Sequence, residues 1–133
     1  MSWKFGVEPL PESLAVAKLL RTVAGLVLSL EAPHPALERL AAALRSAEAE
    51  LGKLVPVDPA PRIGEAAPNG RAYIDHSRDI GAFDPCFPTY QIRVDGDRAS
   101  GTVAFPLAYE GPPGIVHGGF LALFFDSIVQ QHN

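Results

Sequence analysis

One cysteine, one tryptophan and one methionine stand in 133 residues, and these scarcities close off whole classes of explanation. Cys86 has no second cysteine to pair with, so no internal disulfide framework holds the chain, and a reducing cytoplasm is the default setting. A basic patch is missing too. The eleven Lys and Arg are scattered along a chain of net charge -4, which removes the electrostatic footprint expected for nucleic acid or an anionic membrane surface. No apolar run is long: Arg21, Thr22 and Arg45 interrupt the longest ones, well short of the roughly 20 residues that a bilayer demands. The N-terminus also lacks the charged start, apolar stretch and small-residue cleavage site of a secretory leader. What is left, at 47% hydrophobic and 20% charged residues, is an ordinary globular balance, expected to be soluble and cytoplasmic.

Proline and glycine, by contrast, are plentiful at thirteen and twelve, and they divide the chain into segments. From Pro9 to Leu30 the apolar residues Leu14, Ala17, Leu20, Val23, Ala24, Val27 and Leu28 recur mostly at helical spacing, with Pro11 and Glu12 suited to a first turn. After "APHP", Leu37, Leu40, Ala41, Leu44, Ala47 and Leu51 mark a second helix, and Gly52 a stop. Residues 1–55 therefore read as an antiparallel helical hairpin, whose plainest role is packing or dimerisation without chemistry. "PVDPAPRIGEAAPNG", residues 56–70, has no periodicity and reads as a linker. In 71–133, Tyr90, Ile92 and Val94 alternate with polar residues, Asp95-Gly96 supplies a turn, and Ala99, Gly101, Val103 and Phe105 form the return strand of a β-hairpin. The segment from Gly118 onward is expected to be helical, with Leu121, Phe124, Phe125, Ile128 and Val129 around Asp126. The fold class is α+β.

Chemistry concentrates in that last helix. Gly118-Gly119 at a helix start leaves backbone N–H groups without side-chain cover, where the helix dipole favours negative charge, as in an oxyanion hole. Close packing against a neighbour would explain two glycines equally well. Asp126, set among Phe124, Phe125 and Ile128, is costly to bury without a partner, unless it simply faces solvent. Elsewhere the signals are weak. Cys86 in "DPCFP" has no basic neighbour, and His76 with Asp75 and Asp79 lacks a second ligand cluster, so neither a reactive thiol nor a metal site is expected.

The stretch "GPPGIVHGGFLALFFD" resembles the helix-start motif of hotdog-fold acyl-CoA thioesterases, the phenylacetate-pathway and 4-hydroxybenzoyl-CoA thioesterase group. In that family a Gly-rich loop leads to His-Gly-Gly, with an acid nine positions after the histidine; His117, Gly118, Gly119 and Asp126 match. The resemblance covers roughly residues 80–133. It implies hydrolysis of a CoA or carrier-protein thioester without cofactor or metal. A Gly118 or Gly119 amide would polarise the carbonyl, Asp126 would act as nucleophile or general base, and His117 would position substrate or loop. Glu110, Gly114 and Phe120 would line the substrate's approach. Gly118 and Asp126 lie ~12 Å apart along a helix rising ~1.5 Å per residue, so each site should join the helix start of one copy to the aspartate of another.

A hotdog domain wraps a long sheet around this helix, and the family builds most of that sheet from strands that follow it. The chain is thus expected to be half of a split hotdog domain, completed by a second polypeptide in a homo- or hetero-oligomer, since two strands cannot cover the helix's apolar face; a truncated chain is the alternative. His132-Asn133 also resembles the end of self-splicing inteins, so a precursor that cleaves itself there is a minor variant of the same expectation. The rival functions are a hotdog hydratase or dehydratase, told apart by turnover without thiol release, and a non-catalytic acyl-binding or scaffold subunit, told apart by inertness toward thioesters.

Overall fold

A computed structural model describes residues 9–55 and 80–132, and within them the chain is α+β, with four helices and one two-stranded antiparallel sheet. The expected linker, residues 56–70, and His76 with its aspartates lie outside the described residues, as does Asn133. Helix α1 runs Pro11–Leu28 and α2 runs Pro35–Leu51. Each starts on a proline, whose fixed φ suits the first helical position and whose missing N–H is no loss there. No helix among the described residues is long and apolar enough to cross a membrane.

The two helices do not cover each other as a closed hairpin should. Helix α2 buries no residue, and α1 packs instead against α3, a single turn at Ile80–Phe83, and against a 3-10 turn at Leu107–Tyr109. Arg21 supplies the reason. Its Nε donates to the Phe87 carbonyl at 3.0 Å, and its Nη2 donates to the carbonyls of Gly81 and Asp84, both at 2.7 Å. Hydrogen bonds from a charged donor are the stronger kind, about 1.5–3 kcal/mol each, and a half-buried guanidinium without them would be costly. Ala17, four residues back on the same face, is the buried residue of α1.

Strands β1 (Tyr90–Asp95) and β2 (Arg98–Val103) pair in the register Tyr90 with Val103 through Asp95 with Arg98, closing on the two-residue turn Gly96-Asp97. Gly96 sits at φ +60°, where a side chain would be strained. Gly101, opposite Ile92, is required for another reason: a Cβ there would stand 2.1 Å from the Gln91 carbonyl oxygen. Helix α4 (Gly118–His132) lies across this hairpin. The core is Ile80, Phe87 and Phe124, with Tyr90, Val103, Phe105 and Ile128 packed around it. Phe124 meets the rings of Tyr90 at 5.8 Å and Phe105 at 5.7 Å, both edge to face, so one aromatic of α4 seats the helix on the sheet.

Candidate functional site at the start of α4

The chain reaches α4 through a closed loop. The 3-10 turn delivers Tyr109, then Glu110 and Val116 form a bridge, Gly111 N–H donates to Ile115 O at 2.8 Å, and Ile115 N–H donates to Pro112 O at 2.9 Å. The Glu110 carboxylate accepts the Gly114 N–H, and Gly114 turns the chain at φ +77°. Two expected substrate-binding residues, Glu110 and Gly114, therefore partner each other and shape the loop. They share the lining of a shallow pocket of about 290 Å³ with Phe105, Tyr109 and Ile115. Phe120, the third, is half-buried with its ring 5.0 Å from that of Tyr109 and edge to face with it.

His117 is the N-cap of α4. Its main-chain N–H donates to Tyr109 O at 2.8 Å, which fixes the residue against the 3-10 turn. Its ring Nδ1 accepts the Gly119 N–H at 3.0 Å, and its carbonyl accepts Phe120 N–H at 3.0 Å and Leu121 N–H at 3.2 Å. Of the four amides that a helix start leaves orphaned, that of His117 thus goes to Tyr109 and those of Gly119 and Phe120 to His117. The fourth, Gly118 N–H, donates to no acceptor among the described residues. A Cβ at Gly118 would meet nothing within 4 Å, so packing does not demand a glycine there, whereas at Gly119 it would lie 3.2 Å from His117 Nδ1.

Helix α2 offers an internal comparison. His34 caps it in the same way, with Nδ1 accepting Ala36 N–H at 3.1 Å and the carbonyl accepting Leu37 N–H at 2.9 Å. The first helical residue there is Pro35, which has no N–H to offer. The two starts differ in that α4 keeps one free amide, exposed at the positive end of its helix dipole.

Asp126 takes the solvent-facing one of its two expected settings. The sequence puts it among aromatics, but it is exposed: Phe124 turns into the core at 8% exposure while Phe125 points outward at 56%, and no apolar wall encloses the carboxylate. The structure groups His117, Gly118 and Gly119 at the start of α4 and Glu110 with Gly114 in the loop beside them, and leaves Asp126 two turns further along. Between β2 and α4 an apolar groove of about 300 Å³ stays open, lined by Ile92, Gly101, Val103, Phe124, Phe125 and Ile128 among others. No cluster of three potential metal ligands occurs among the described residues.

Tyr109, unremarked in the sequence, is central to this arrangement. It is 3% exposed, and burial pushes its hydroxyl pKa up, while the nearby Arg21 guanidinium pulls it the other way by its charge and its side-chain contact. The available signal was Arg21 itself, a cation placed in the apolar pattern of α1. The chain matches no protein-family model, no curated protein and no solved structure.

Proposed function

We propose that this chain is a subunit of a hotdog-type thioesterase that hydrolyses an acyl-CoA or acyl-carrier thioester. The observation that carries the proposal is the free Gly118 N–H at the α4 start, beside a histidine cap and nine residues after which the resembling family places its acid. In the proposed reaction the thioester carbonyl oxygen takes the Gly118 N–H. The Asp126 carboxylate of another copy accepts a proton from water as the hydroxide attacks the carbonyl carbon. The oxyanion is held on the helix dipole, the C–S bond breaks, and the proton passes to the thiolate, leaving a carboxylic acid and free thiol. The Gly119 N–H joins the hole when the His117 ring turns aside.

Further strands, supplied by a second polypeptide, are part of the proposal. Supporting them is the open apolar groove beside β2. Leu121 at 38%, Phe125 at 56% and Val129 at 56% exposure give α4 an uncovered apolar face of the kind a strand's alternating side chains cover. Asp126→Asn in the assembled protein tests the chemistry. We expect turnover of a broad acyl-CoA panel, followed by thiol release, to fall at least about 100-fold with assembly retained; turnover at the wild-type rate removes Asp126 from the mechanism. Hydration or dehydration of an enoyl or hydroxyacyl thioester without thiol release would replace hydrolysis with the lyase reading.

A further inference from the structure

Helix α1 reads from the sequence as an appendage, yet it is tied to the segment that carries the candidate site. We infer that Arg21 is a positioning residue for the α4 start, acting through Tyr109; the proposal rests on the thioesterase reading for its functional half. The first half of the link is the guanidinium, which gathers the carbonyls of Gly81, Asp84 and Phe87 and thereby holds the turn that follows α3. The second is Tyr109. Its hydroxyl faces the same guanidinium, and α1 packs against the 3-10 turn that carries it.

From Tyr109 the link continues to the site by two independent contacts. Its carbonyl accepts the His117 N–H at 2.8 Å, and its ring stands 5.0 Å from that of Phe120 at 84°, one residue to each side of the glycine pair. A shift of Tyr109 therefore moves both ends of the His117–Phe120 segment, and with it the direction of the free Gly118 N–H. Arg21 also has little competition as the anchor of α1. Leu14, Val16, Leu19 and Leu26 are all exposed, and Ala17 is the buried residue of the helix. Lysine cannot replace it, because a single ammonium does not reach three carbonyls and a hydroxyl in the fork geometry that a guanidinium provides.

The test uses R21A and Y109F in the assembled protein, with K18A as a control that removes an exposed charge from the same helix. Amide hydrogen exchange is read at His117, whose N–H is bonded to Tyr109. Exchange there is expected to rise about 10-fold or more in R21A, less in Y109F, and not in K18A, without an equal rise across α4. Guanidinium ion at tens of millimolar should restore protection in R21A, and tetramethylammonium at the same strength should not. Turnover is read in parallel: kcat should fall up to about 100-fold in R21A with KM little changed, and recover with guanidinium. Wild-type exchange at His117 in either R21A or Y109F overturns the proposal, as does a uniform rise along the chain that guanidinium does not reverse. If the exchange pattern appears as expected but the wild-type protein hydrolyses no thioester, the link from Arg21 to the α4 start stands and the thioesterase reading falls.

Discussion

His34 and His117 perform the same capping at two helix starts, and the contrast at the next residue, Pro35 against Gly118, isolates the one amide left free. His117→Ala is expected to cost about 1 kcal/mol in urea unfolding, and His117→Asn to regain much of it, because asparagine is itself a strong N-cap. Tyr109 carries a pH signature. Its pKa is raised above the ordinary tyrosine value of about 10, chiefly by burial, so between the two values the folded state holds more protons than the unfolded one. Its contribution to stability is full below that ordinary value and is lost as pH climbs through the raised one; unfolding followed at alkaline pH should show that decline shrink in Y109F. At this scale the helix start at Gly118 was legible, since the glycine pair and the apolar spacing after it carry it. The ring-to-amide bond was not, and the choice between a buried and an exposed Asp126 stayed open, because neighbours in sequence need not form a wall in space: on a helix Phe124, Phe125 and Asp126 point about 100° apart.

At the scale of elements, the long periodic segments announce themselves and the short ones do not. Alternation and the Asp-Gly turn mark β1 and β2, and three- and four-residue spacing marks α1, α2 and α4 to within a few residues of their ends. The single turn α3 and the 3-10 turn are too short to show a period, yet these are what α1 packs on. An apolar stripe predicts that a helix is covered and not by what. For α1 the choice falls to Arg21, whose guanidinium needs several acceptors and finds three carbonyls at the α3 turn. Gly101 offers a test of the hairpin alone. Gly101→Ala drives a methyl into the Gln91 carbonyl and should lower stability by about 2 kcal/mol or more in chemical denaturation. Gly96→Ala, which only strains the turn, should cost roughly 1 kcal/mol.

At the scale of the whole molecule, the two-stranded sheet and α4 share a small aromatic core among the described residues and leave an apolar groove open beside it. A pair of strands is marginal alone, and here Phe87 and Phe124 hold what the sheet cannot; Phe124→Ala should cost about 3 kcal/mol. Phe125→Glu addresses the open surface instead. It should leave the fold of the chain intact, since Phe125 is half exposed, but abolish co-purification with a strand-supplying partner if the groove is where that partner seats. The α+β class was legible from segment types alone, whereas the groove was not, because it arises from how β2 and α4 pack against each other. The central claim, that Gly118 N–H binds a developing oxyanion, admits one direct measurement. Gly118→Pro copies the His-Pro start of α2 and removes a single N–H, at a position where a Cβ would meet nothing within 4 Å. In the assembled protein we expect thermal stability and assembly to be retained while thioester turnover falls at least about 100-fold. Turnover within about twofold of wild type, with that amide gone, would contradict the claim.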